Sequence, residues 1–164
     1  MKKFLYLVLL AFLALGTSAC TDTKLIGMQN PWTECAMNMH CASKIAGFNF
    51  PLTLSNYTVR AMKGVFEVTY PLDEFREVTV RKSMDEENGL DNSGDYTKYE
   101  HNKVLTLKNG VEINVRGNGD KINVMYFAAE SGVFSARCAQ GMTKEEVEGI
   151  YKVIAEAETS KYTH

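Results

Sequence analysis

The chain has 164 residues, with 18 Lys and Arg against 20 Asp and Glu, and a formal net charge of -2. That length suits one modest domain, and the near-balanced charge gives no electrostatic footprint for nucleic acid. The 45% apolar fraction is too high for a disordered tail and too low for a protein with several membrane spans.

The apolar residues are unevenly placed. Lys2 and Lys3 precede an unbroken apolar run at residues 4–15, and Gly16, Thr17, Ser18, Ala19 and Cys20 follow it. A basic start, an apolar stretch shorter than the roughly 20 residues of a spanning helix, and a small-residue end make residues 1–19 a secretory signal peptide. Residues 16–20 resemble the bacterial lipobox, with Thr17 where Leu is usual, so Cys20 is the expected site of lipidation. Small residues at Thr17 and Ala19 also suit ordinary signal-peptidase cleavage. Each buried acyl CH2 contributes about 0.8 kcal/mol, so several chains on one cysteine hold a protein on a membrane without a spanning helix. An Asp at the position of Thr21 would resemble the inner-membrane retention signal of enteric bacteria, and its absence points to the outer membrane in a Gram-negative cell. Cleavage leaves 145 residues with 16 basic and 20 acidic side chains, a net charge of -4.

Residues 20–29 read as a polar, lipid-anchored tether, and residues 30–158 as a single domain with a tail at 159–164. Pro31 holds Asn30 extended, and Trp32 brings a large apolar surface of the kind that plugs a core or a sheet edge. A short helix is expected from Met39 to Ala46, capped by Asn38 and ended by Gly47. Period-two alternation then predicts strands at 49–54, 57–62, 65–70, 77–82, 103–108, 111–116, 121–127 and 133–139. Lys63-Gly64, Asn109-Gly110 and Asn118-Gly119-Asp120 mark tight turns, which join antiparallel neighbours. Thr143 with Glu146 three residues later forms a capping box before a helix whose apolar stripe is Val147, Ile150, Tyr151 and Ile154. The expected class is α+β: an antiparallel meander of six to eight strands, packed by the C-terminal helix and the short N-terminal one.

Three cysteines besides Cys20 enter an oxidising compartment, so one disulfide and one odd thiol are expected. Cys41 on the buried stripe of the first helix and Cys138 on the face of Phe134 and Ala136 give a slight preference for a Cys41–Cys138 bond. A Cys35–Cys41 bond requires Cys35 to lie outside the helix, because residues six apart on a helix point about 120° apart. A zinc site through Cys35, His40 and Cys41 is disfavoured on the same compartment argument.

The segment 83–102 is the most distinctive polar stretch. It carries Asp85, Glu86, Glu87, Asp91 and Asp95 without the ligand order of an EF-hand, and reads as a solvated acidic loop rather than a metal site. Asp85, Glu87, Asp91, Asp95, Tyr96 and Tyr99 form a candidate contact surface there. Three histidines and no GxSxG, SxxK, GxGxxG or P-loop pattern leave no catalytic set, and no cofactor or metal is implied.

Several stretches carry a resemblance: Asn30-Pro31-Trp32 with Cys35, Lys44-Ile45-Ala46-Gly47-Phe48, Val80-Arg81-Lys82, Ser93-Gly94-Asp95-Tyr96, Arg116-Gly117-Asn118, and Gly141-Met142 before the final helix. They resemble small secreted lipoproteins of gut bacteria. The second half is similar to an uncharacterised domain-of-unknown-function family found in bacterial envelope and anti-sigma-factor proteins. Cys41 and Cys138 depart from that pattern, which is a further reason to expect that they pair. The matching motifs are turns, caps and core positions, so the resemblance implies a fold and an envelope location and transfers no active site. The expectation is an exported, lipid-anchored, non-enzymatic module that binds or senses an envelope protein or small ligand. A hydrolase-inhibitor-like or small-ligand-binding periplasmic protein is the alternative.

Overall fold

The computed structural model describes residues 30–50, 52–84 and 90–159; the expected signal peptide, Cys20 and the rest of the expected tether lie outside them, as do Asp85 and Glu87. The elements in chain order are β1 (Thr33–Glu34), α1 (Met39–Ala46), β2 (Thr58–Met62), β3 (Val65–Pro71), β4 (Glu77–Ser83), β5 (His101–Thr106), β6 (Glu112–Gly117), β7 (Ile122–Ala129), β8 (Gly132–Met142) and α2 (Lys144–Thr159). Every neighbouring pair of strands is antiparallel, in the order β1-β2-β3-β4-β8-β7-β6-β5. The fold is therefore α+β, an eight-stranded antiparallel sheet with two helices. The sheet is not one continuous meander. Two runs of sequential neighbours meet where β8 pairs with β4, and after β4 the chain restarts at the far edge. It crosses four inter-strand spacings of about 4.8 Å each, which accounts for the length of the connection at 84–100.

Both helix starts follow from their sequence. The Asn38 side chain accepts the Cys41 amide at 2.9 Å, and Gly47 ends α1 in the left-handed region at φ 84°. At α2, Thr143 Oγ1 accepts the Glu146 amide at 3.2 Å while Glu146 Oε2 accepts the Thr143 amide at 2.8 Å, a reciprocal capping box.

One face of the sheet carries the apolar core. Phe66, Val68, Val80, Ile113, Val115, Met125, Phe134 and Ala136 lie beneath Ala42 and Ala46 of α1 and Val147, Ile150 and Ile154 of α2. The stretch expected as a strand at 49–54 forms none. Its alternating Phe50 and Leu52 are buried in this core, Phe50 meeting Phe66 edge-on and Phe134 at 5.6 Å. The Leu52 amide bonds to Phe50 O, so it makes no ladder bond, and Pro51 has no N–H to donate. The alternation was real but was satisfied by a core-filling connection. A two-residue edge strand, β1, pairs with β2 in a place where alternation gave no signal.

One cation enters the apolar face. Lys82 is 1% exposed, with Phe48, Phe50 and Phe134 ring centroids at 5.0 to 5.6 Å from its ammonium. It donates to Ser131 Oγ at 2.8 Å and Glu158 Oε1 at 2.9 Å, near the C-terminal end of α2. The charge is paired and bonded, which is what makes its burial tolerable.

The expected Cys41–Cys138 bond is corrected. Cys35 and Cys41 are joined, with Cα atoms 5.8 Å apart, and Cys138 is a buried thiol. Cys35 lies in the turn before α1, where its amide bonds Val59 O and its carbonyl accepts Asn38 N, so it meets the condition the short loop required. α1 packs on β1, β2 and β3, whereas Cys138 is on β8 beyond β4. Cys138 does share the buried face of Phe134 and Ala136, but on a different strand neighbourhood from Cys41. Peptide mapping without reductant is expected to recover Cys35 bonded to Cys41, with Cys138 alkylated only after unfolding. Replacing both Cys35 and Cys41 by Ser is expected to lower the unfolding free energy by about 2 kcal/mol, the loop-entropy value for so short a ring. A disulfide through Cys138 would contradict the assignment.

Candidate functional site

The face opposite the helices is polar, and register explains its order. One row across the sheet reads Glu34, Arg60, Glu67, Arg81 and Ser135; the next reads Thr58, Thr69, Thr79, Arg137, Val124 and Arg116. In the first row charges alternate in sign. Glu67 is 2% exposed and takes Arg60 Nε at 2.6 Å and Arg81 Nε at 2.9 Å, with Arg81 Nη2 also bonded to it. Two guanidinia thus share one buried carboxylate. Trp32 lies over both, its ring centroid 4.5 Å from Arg60 Cζ and 5.2 Å from Arg81 Cζ. Trp32, expected to plug a core or a sheet edge, instead covers guanidinia on the polar face.

Residues 90–99 cross this polar face as a strap. Arg81 Nη1 donates to Asn92 O at 2.8 Å, and Asn92 Nδ2 reaches Ser83 Oγ and Val133 O. Arg116 Nη2 pairs with Asp91 at 2.7 Å and donates to Asp95 O at 2.8 Å. Asp95 accepts the Thr97 amide and the Tyr99 hydroxyl, and Arg116 lies over the Tyr99 ring. Burial works against ionisation of Asp95, but the Thr97 and Tyr99 bonds and the Arg116 charge outweigh it and hold its carboxyl below the usual range. The solvated-loop expectation is corrected for this part. Asp91, Asp95 and Tyr99 are turned inward to secure the strap, and among the predicted contact residues that are described, Tyr96 alone is largely exposed, at 96%.

The strap leaves the β2-β3-β4-β8 part of the face open. A polar depression of about 310 Å³ is lined by Glu34, Thr58, Arg60, Thr69, Thr79 and Arg137, and an adjoining one of about 440 Å³ shares Glu77, Thr79 and Arg137 with it. Thr69 and Thr79 hydroxyls are 3.0 Å apart. Arg137 differs from the other arginines of this face. Among the described residues its guanidinium makes no ion pair, whereas Arg60, Arg81 and Arg116 each make one; its Nε, like that of Arg116, is buried without a hydrogen-bond partner. Glu77, on the same face, likewise has no ion pair among the described residues.

The second depression ends at the β3–β4 turn, which is locked. Asp73 Oδ1 accepts the Phe75 and Arg76 amides, and Leu72 N bonds Arg76 O. Arg76 then donates to Asp73 at 2.6 Å, to Glu146 Oε1 at 2.6 Å and to Gly141 O at 3.0 Å. Glu146 therefore caps α2 and anchors this turn at once. Phe75 stands out from it, 86% exposed.

Sequence reasoning missed Arg137, Glu77 and Phe75. Alternation within β4 and β8 does put Thr79, Arg81 and Arg137 on one face, but which charges meet depends on β8 docking beside β4, which no local signal encodes. The Cys35–Cys41 bond takes both thiols from the zinc set considered with His40. No protein-family model, curated protein or solved structure matches the chain.

The Arg76 cluster has a pH signature. The Phe75 amide and the Arg76 guanidinium hold the Asp73 carboxyl below its ordinary range, and Arg76 with the Thr143 amide does the same for Glu146. Carboxyls depressed in the folded state contribute stability above their unfolded pKa and lose it as pH falls through the folded one. Urea unfolding is expected to show this loss below the ordinary carboxylate range. Arg76→Met should flatten that part of the profile, and an unchanged profile in the variant would remove Arg76 as its cause.

Proposed function

We propose that the protein is an exported, lipid-anchored module of the cell envelope, similar to secreted lipoproteins of gut bacteria, that binds a ligand or partner on the helix-free face of its sheet and performs no chemistry there. The signal-like start and Cys20 support the location. The observation that supports the binding face is Arg137, a guanidinium with no ion pair among the described residues in an open polar depression, set among arginines that are all paired. A face built only for stability would pair that arginine as it pairs Arg60, Arg81 and Arg116. Among the described residues no histidine or thiol lines either depression, which supports binding over catalysis.

A second reading, a hydrolase-inhibitor-like protein, is favoured by Phe75. An exposed ring on a turn fixed by Asp73, Arg76 and Glu146 has little entropy to lose on docking, which suits an anchor inserted into a partner's pocket.

Cys20→Ala or globomycin is expected to release the protein from the membrane fraction and abolish acyl labelling; an unchanged membrane fraction would end the anchor reading. Amide exchange of the full chain, with and without envelope extract, separates the two faces. Protection of β3, β4 and β8 that is lost in Arg137→Gln is the expected result. Protection confined to the Phe75 turn would favour the inhibitor, and protection on α2 alone would contradict both.

A further inference from the structure

Charge on the open face is nearly all accounted for. Arg60 and Arg81 answer Glu34 and Glu67, Arg76 answers Asp73 and Glu146, and Arg116 answers Asp91. Asp95, which borders the larger depression, is bonded by Thr97 and Tyr99. Of the charged residues lining the depressions, Arg137, Glu77 and Glu74 have no ion pair among the described residues; Glu74 borders the larger depression only, whereas Arg137 and Glu77 line both. Arg137 pairs in register with Thr79, so Glu77, two residues along β4, is its diagonal neighbour. Diagonal positions in an antiparallel pair are roughly 7–8 Å apart at the backbone, and the two side chains make no ion pair with each other although both line the groove. Between and beside them run the hydroxyls of Thr79, Thr69 and Thr58, in one row.

We propose that this groove binds a small zwitterion of free amino-acid or dipeptide type, its carboxylate on Arg137, its ammonium group on Glu77 and its polar backbone along the threonine row. The inference rests on the helix-free face being the binding face. An extended dipeptide spans about 7 Å, at up to about 3.6 Å per residue, comparable with the backbone spacing of the two positions. A simple anion such as phosphate would meet Arg137 but would also face Glu77, Glu34 and Asp95, which border the same depressions. A simple cation would meet the reverse problem at Arg137. Only a ligand carrying both signs answers both groups, and a guanidinium fork suits a carboxylate in particular.

The test is calorimetric titration of the full chain in detergent with four probes: Ala-Ala, N-acetyl-Ala-Ala, Ala-Ala amide and inorganic phosphate. Ala-Ala is expected to bind, and removing either terminal charge should weaken binding about tenfold or more, the scale of one charge-assisted hydrogen bond. Arg137→Gln and Glu77→Gln should each weaken Ala-Ala binding to the same degree. Glu77→Gln should leave N-acetyl-Ala-Ala unaffected or better bound. Since Arg137 makes no ion pair, the urea midpoint of Arg137→Gln should stay unmoved, and Arg137→Lys serves as the folded control if it does not. Phosphate or N-acetyl-Ala-Ala binding as well as Ala-Ala, yet still through Arg137, would overturn the zwitterion and leave the binding face standing. Binding insensitive to Arg137 would overturn both, and no binding by any probe at millimolar concentration would overturn the proposal.

Discussion

The arrangement of the polar face depends on one buried carboxylate. Glu67 lies at the centre of β3 on the face that no helix covers, nearly inaccessible, and an ionised group there is tolerated only because Arg60 and Arg81 both bond to it. Much follows from that pairing. Arg60 and Arg81 are held flat enough for Trp32 to lie over them, and Arg81, fixed from one side by Glu67, offers Nη1 to the carbonyl of Asn92 and so secures the strap. Glu67 is taken up by these two arginines, and Arg137 in the next row makes no ion pair among the described residues.

The two faces divide the work of the molecule. The apolar face, roofed by α1, α2 and the Phe48 to Phe50 connection, supplies the burial that makes the domain cohesive, and it absorbs one ion pair, Lys82 with Glu158, at its margin. The polar face is organised by electrostatics. It keeps one half closed under residues 90–99 and the other half open. Function, in this account, sits where the second face has charge left over, on strands whose positions the first face fixes.

How much of this was legible in the sequence depends on the range of the signal. Caps and turns are local, and Asn38, Gly47, Thr143 and Glu146 act as their spacing implied. Seven of the eight predicted strand regions exist, because alternation reports a face that is buried whatever lies beside it. The exception at 49–54 shows the limit: Phe50 and Leu52 alternate because both enter the core, and alternation cannot tell a ladder from a core-filling connection. Long-range pairing was opaque. Strand order set the distance between Cys41 and Cys138, turned Asp91 and Asp95 from solvated acids into partners of the strap, and isolated Arg137, none of which is written near those residues.

The most direct test of the central claim is native-state amide exchange on Glu67→Gln. That substitution keeps size and removes the charge that both arginines share. The account predicts faster exchange in residues 90–99 and in β2 to β4, with α2 and β7 little changed, and a loss of global stability of about 3 kcal/mol, the scale for breaking a buried pair. Unchanged exchange in the strap, with stability intact, would show that Glu67 does not organise this face.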